Sequence, residues 1–199
     1  MNAPLAPAEL PAQLPTSRAK ERRTLLLLAA VVIAPVVASY SAYYFFPREQ
    51  RTNYGELLAT APAPPLAGTR GDGQPFALAQ LRGKWVLVIN APANCDAPCQ
   101  QTLHATRQAR TIQGREMERV LRVWLVSDDG TPDPALLAQH PDLLVARVAR
   151  DALAGLPAGV DRVYLVDPLG NLVLAFPADP DIKKVARDIE RLLRASRIG

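Results

Sequence analysis

An apolar run of 22 residues, Leu25 to Phe46 (LLLLAAVVIAPVVASYSAYYFF), contains no charged side chain and constrains the rest of this chain. At about 1.5 Å per residue a helix of this length reaches roughly 33 Å, which matches the hydrocarbon core of a bilayer. Tyr40, Tyr43, Tyr44 and Phe46 crowd its C-terminal end, where an aromatic belt is expected. Arg18, Lys20, Arg22 and Arg23 precede it, with only Glu21 against them. The positive-inside rule therefore keeps residues 1–24 in the cytoplasm and exports the residues C-terminal to the run. A cleaved signal peptide is the rival reading, because Ala38-Ser39 and Ser41-Ala42 offer small residues. The length of the run, and its continuation into aromatics, favour an uncleaved transmembrane helix over 25–46.

The flanks organise around that helix. Residues 1–16 are rich in Pro and Ala, so the cytoplasmic tail, residues 1–24, is expected to be disordered. Residues 47–65 end in APAPP and read as a semi-stiff, Pro-rich linker. The folded domain is expected over 66–199. The 153 residues after the run suffice for one domain with a sizeable core and exclude a multidomain enzyme. The formal net charge of the chain is +4, but residues 47–199 hold 19 basic and 17 acidic side chains. No basic stripe marks a nucleic-acid-binding face.

Strands and helices alternate through the domain. Phe76 to Leu78 reads as a short strand and Ala79 to Arg82 as a single turn. Trp85 to Asn90 (WVLVIN) is apolar almost throughout, as in a strand covered on both faces. Pro98 to about Gln113 reads as a helix, Val120 to Val126 as a second buried strand, Pro134 to Gln139 as a short helix, and Leu143 to Val148 as a third strand. Val163–Val166 and Asn171–Phe176 flank the turn Asp167-Pro168-Leu169-Gly170 and form a β-hairpin. Ile182, Val185, Ile189, Leu192 and Leu193 then recur at helical spacing, with Asp179 or Asp181 as the cap. The fold class is α/β, a central sheet with flanking helices.

Only two cysteines exist, Cys95 and Cys99, in the run Asn94-Cys95-Asp96-Ala97-Pro98-Cys99. They fall between the first buried strand and the first long helix. A helix N-terminus favours a thiolate at Cys95, and Cys99 lies one turn on. Pro98 costs little in a first turn. A reversible dithiol/disulfide is reasonable there, with Cys95 attacking and a more buried Cys99 resolving. Two thiolates one turn apart also suit Cu(I). A permanent structural disulfide, or two inert buried thiols, are the plainer alternatives; export to an oxidising compartment favours the former. Asp96 opposes thiolate formation at Cys95.

The remaining candidates carry less chemistry. His104 lies about 140° around the helix from Cys99, which places it away from the pair. His140 precedes Pro141 and reads as a surface-loop residue. Asp128 and Asp129 read as a solvated turn before Gly130. Trp124 reads as core, and Trp85 as packing at the rim of the sheet.

The run DGQPFALAQLRGKWVLVINAPANCDAPC resembles the opening of the thioredoxin-like superfamily. The CxxxC spacing and the hairpin VYLVDPLGNLV resemble the SCO/SenC branch, the copper chaperones of cytochrome c oxidase assembly. The whole chain is similar to bacterial membrane proteins associated with that assembly, which share LRGKWVLV, the cysteine pair, QARTIQGREMERVLRVWLV and YLVDPLGN. The resemblance implies a thioredoxin-like domain anchored in the bacterial inner membrane and facing the periplasm. It implies Cys95 and Cys99 as catalytic residues or as Cu(I) ligands, and oxidase subunits or copper chaperones as partners. One departure stands out. SCO proteins also bind copper with a histidine just before the hairpin, and the matching stretch, Ala158 to Arg162, has none. Arg162 also stands where thioredoxins carry a cis-proline, and Pro92 and Ala93 occupy the place of the peroxiredoxin threonine. Two functions emerge as expectations: a thiol–disulfide protein assisting oxidase copper-site assembly, or a non-enzymatic docking factor with a structural disulfide or weak Cu(I) site.

Overall fold

The computed structural model describes residues 18–45, 53–157 and 162–196. The chain divides into two compact units, Met1–Gln50 and Arg51–Gly199. In the first, α1 runs over Arg18–Phe45 with Pro35 inside it. Its stretch Glu21–Ser41 has a mean hydropathy of 2.1 and is long and apolar enough to cross a membrane. The helix begins inside the expected tail, since Arg18 to Arg23 contain no helix breaker; residues 1–17 lie outside the described residues.

The second unit is built on one eight-stranded sheet. In chain order the strands are β1 (Glu56–Pro62), β2 (Ala67–Arg70), β3 (Pro75–Ala77), β4 (Trp85–Ala91), β5 (Val120–Val126), β6 (Leu143–Val148), β7 (Val163–Val166) and β8 (Asn171–Phe176). Their spatial order is β1-β8-β7-β4-β5-β6-β2-β3. β4, β5 and β6 are parallel, and β7 runs antiparallel to β4. The helices are α2 (Ala97–Thr111), α3 (Pro134–Ala138), α4 (Arg150–Leu153) and α5 (Ile182–Ala195).

Glu56–Pro62 correct the linker expected over 47–65. They pair antiparallel with β8, from Glu56 opposite Ala175 to Pro62 opposite Asn171. A proline at the end of an edge strand sacrifices no ladder bond, so the Pro-rich composition does not prevent pairing. The strand's entry is fixed by Asp188 of α5, a buried carboxylate whose Oδ2 accepts from the amides of Tyr54 at 2.7 Å and Gly55 at 2.9 Å.

Side-chain alternation along β4 supplies two cores. Trp85, Leu87, Ile89 and Ala91 face α2 and α5 together with Trp124, Ile189 and Leu193. Val86 and Val88 face the other side with Leu66, Phe76, Tyr164 and Leu156. Because both faces are covered, every β4 residue is buried. Two glycines are demanded by geometry. A Cβ at Gly68 would stand 1.9 Å from the Arg147 carbonyl oxygen across the β2–β6 pair. Gly170 closes the β7–β8 turn at φ +92°, a left-handed conformation that side chains resist. Asp167 completes that turn by accepting from the amides of Leu169 at 2.9 Å and Asn171 at 2.7 Å.

Candidate functional site around Cys95 and Cys99

β4 ends at Ala91, and after four loop residues the chain reaches the cap of α2. Asp96 is the N-cap: its Oδ1 accepts from the Cys99 amide at 3.1 Å. Ala97 and Pro98 fill the first two helical positions, where the missing proline N–H has no helical partner to lose. Asp96 is thus a cap as well as a charge beside the sulfurs. Cys95 consequently lies just before the helix, and Cys99 lies inside its first turn. The two are joined in a disulfide, with Cα atoms 5.2 Å apart. Gln100 spans the loop, its Nε2 donating to the Cys95 carbonyl at 3.0 Å.

The burial order of the two sulfurs reverses the sequence expectation. Cys95 is 8% exposed and packs in the core beneath α2. Cys99 is half-buried and lines a cavity of about 300 Å³ with Asn90, Asp96, Pro98, Thr102 and Arg162. The reason is the cap: with Asp96 starting the helix, the residue before it turns inward and the third helical residue faces outward. Arg162 is held there by its ion pair with Glu56 at 2.7 Å.

Neighbouring elements fix the approach to the pair. The Trp124 indole donates to the Ala91 carbonyl at 3.1 Å. Asp128, which reads from sequence as a solvated turn residue, accepts from the Ala93 amide at 3.0 Å. A Cβ at Gly130 would meet that of Ala93 at 2.7 Å, so the loop after β5 lies directly against the loop before Cys95. The Thr102 hydroxyl donates to the Ala178 carbonyl, which ties α2 to the β8–α5 connection.

Other candidates fall elsewhere. His104 lies on the exposed side of α2 and does not line the cavity beside Cys99. His140 is not a surface residue; it is 6% exposed, because the turn after α3 folds its ring under α2 and places it beside Arg107 and Arg122. Trp85 is buried, with its indole N–H lacking a partner among the described residues. Residues 158–161, where the SCO histidine would fall, lie outside the described residues. Among the described residues no group of three His, Cys, Asp or Glu side chains could hold a metal ion. Among the described residues the pair offers two sulfurs and no third His, Cys, Asp or Glu donor for a three-ligand copper centre.

Sequence reading misses Arg122, a fully buried guanidinium in the centre of β5. It donates to the Leu103 carbonyl at 2.6 Å and to Asp142 at 3.3 Å, and so pins α2 to the sheet. Burial lowers its pKa to about 10 against the pull of Asp142. Burial alone would raise the Asp142 carboxyl, but the charges of Arg122 and Arg110 and the Arg122 hydrogen bonds hold it below its ordinary value. The available signal is a lone arginine on the helix-facing side of an otherwise apolar strand.

Residues 85–196 match the family model described as transmembrane-like, thioredoxin-like, C-terminal domain. No curated protein matches the sequence significantly. Among solved structures, the unit resembles yeast Sco1 with copper bound, at 20% identity and a TM-score of 0.58 over 70% of this chain and 96% of that one. Apo Sco1 from Thermus thermophilus aligns at 23% identity and a TM-score of 0.56 over 74% of this chain and 98% of that one. The thioredoxin domain of a thiol-disulfide oxidoreductase from Bacteroides vulgatus aligns at 20% identity and a TM-score of 0.53, over 68% and 99%. At these identities the likeness concerns the fold.

Proposed function

The chain belongs to the transmembrane-like, thioredoxin-like C-terminal domain family, and from that premise we propose a membrane-anchored thiol–disulfide protein, facing the periplasm, that assists assembly of the cytochrome c oxidase copper site. The observation that carries the reading is the Cys95–Cys99 disulfide at the head of α2, with one sulfur buried and the other beside a cavity. In the reduced state the Cys99 thiolate attacks a partner disulfide, forms a mixed disulfide and releases one partner thiolate. Cys95 then loses its proton, attacks the Cys99 sulfur and releases the second partner thiolate. Two electrons pass to the partner, and the chain is left as the disulfide.

The copper link rests on the likeness to copper-bound Sco1. Reduced, Cys95 and Cys99 are the residues that would hold one Cu(I), a soft ion suited to two thiolates. Partners of this reading are oxidase subunits or copper chaperones at the membrane. A second reading, a docking factor with a fixed bridge, is favoured by one observation: Cys95 is packed in the core, as in a structural disulfide.

Trapping in membranes tests the proposal. A Cys95→Ser variant should hold mixed disulfides between Cys99 and a partner, with an oxidase subunit or copper chaperone among them. No trapped partner, together with a reduction potential below about −300 mV, would favour the fixed bridge.

A further inference from the structure

A second cavity, of about 640 Å³, opens on the other flank of α2, between that helix and the turn joining α3 to β6. Gln100, Gln101, His104, Arg107, His140 and Asp179 line it. The site has a built interior. His140 is more than nine-tenths buried, and its Nδ1 has no hydrogen-bond partner among the described residues. Its backbone is fixed on both sides, the amide donating to the Leu137 carbonyl at 2.9 Å and the carbonyl accepting from Leu143 at 3.0 Å. Arg107 is steadied at the rim by donating to the Gln139 carbonyl at 2.8 Å, which uses only part of its five-donor fork.

The charges facing His140 are Arg122 from β5, Arg107 and His104 from α2, and Asp142 from its own turn. Arg122 and Arg107 act against a proton on the ring, and Asp142 acts for it. Asp142 is already engaged by Arg122 and by Arg110. The cavity therefore presents donors and positive charge, offset by the single carboxylate of Asp179.

We propose that this cavity is an anion site whose ligand is a carboxylate side chain of a partner polypeptide, held by Arg107 and the imidazoles of His104 and His140. Asp179 at the rim opposes a dianionic phosphate more than a monoanionic carboxylate. The position favours a polypeptide. Gln100 lines the cavity and also donates to the Cys95 carbonyl, so the opening adjoins the loop that carries the disulfide. In its choice of ligand the inference rests on the thiol–disulfide reading above.

The chain has only two histidines, so imidazole NMR on the full chain in neutral detergent micelles reports the site directly. The probe is N-acetyl-glutamate α-amide, compared with inorganic phosphate and with sodium chloride at equal ionic strength. The expected result is a saturable upward shift of both imidazole titrations at millimolar glutamate probe, with the His140 response at least fivefold weaker in Arg107→Gln and in His104→Gln. Near-ultraviolet circular dichroism establishes that both variants are folded. Equal responses to the probe and to chloride would overturn the site. A stronger response to phosphate, or to phosphatidylglycerol vesicles, would overturn the carboxylate assignment. The readout needs no thiol, so its failure is separable from failure of the redox reading.

Discussion

Asp128 reaches from the end of β5 to the loop before Cys95, where its Oδ1 accepts from the Ala93 amide at 3.0 Å. The same oxygen accepts from the Gly130 amide at 3.2 Å. One carboxylate oxygen thus holds together two loops at the C-terminal edge of the parallel strands. Replacing Asp128 with Ala strands the Ala93 amide in a part-buried position, at a cost of about 1–2 kcal/mol. Asp128→Asn keeps an acceptor and should lose less than half as much. Urea unfolding followed by fluorescence checks this, since Trp85 and Trp124 are the only tryptophans and both lie in the sheet.

The burial of the two sulfurs predicts their order of reaction. In the reduced chain Cys99 should alkylate at least several-fold faster than Cys95, because Cys99 borders an open cavity and Cys95 is buried. Mass spectrometry after a short pulse of iodoacetamide reads the order. Preferential labelling of Cys95 would assign the attacking role to the buried residue instead.

Asp142 is the carboxylate that offsets the buried Arg122 charge. Asp142→Ala removes it and should destabilise the domain by about 3 kcal/mol, the scale for breaking a buried pair from one side. Arg122→Met, which leaves no uncompensated cation, should cost clearly less. Denaturant midpoints of the two variants decide.

His140 sets a pH dependence. Burial first, then Arg122 and Arg107, hold its pKa below the ordinary histidine value. The unfolded chain therefore takes up the proton first. This contribution is fully present above about pH 6.5 and declines as pH falls from there through the folded-state value. Asp142, also depressed, loses its contribution lower still, as pH falls through the carboxylate range. The wild-type chain should lose stability between pH 7 and pH 5, and His140→Gln should lose markedly less over the same interval. Unfolding curves at the two pH values test the difference.

Topology gives a further test. Arg18, Lys20, Arg22 and Arg23 lie before the apolar stretch of α1. A reporter active only outside the cytoplasm, fused after Gly199, should be active. Activity of a cytoplasmic reporter at the same position would place the domain on the wrong side for the proposed chemistry.

The elements legible in the sequence are those with strong local signals. β5, β6 and the β7–β8 hairpin fall where apolar runs and the turn Asp167 to Gly170 put them. The five apolar positions from Ile182 to Leu193 likewise mark α5. β1 is hidden, because its residues are mostly exposed and show no alternation; only its pairing with β8 makes it a strand. The cysteine pair stands out, but the relative burial of its members does not, since it depends on Asp96 being the cap, which decides which way each cysteine faces. His140 and Arg122 escape sequence reading for a shared reason. Each is polar and buried by contacts with elements distant in sequence, Arg122 through Leu103 and Asp142, and His140 through the cover of α2.

The pairing of β1 with β8 also has a consequence for the order in which this protein comes into being. β1 emerges first among the strands, yet its neighbour in the sheet spans Asn171 to Phe176. Central strand β4 likewise waits for β7 on one side. The sheet cannot close until the β7–β8 hairpin has been made, however early the anchor has been inserted. Closure waits for that hairpin, when contacts more than 100 residues apart form together. Until then β1 is an open edge, so the growing chain depends on being kept from pairing with others.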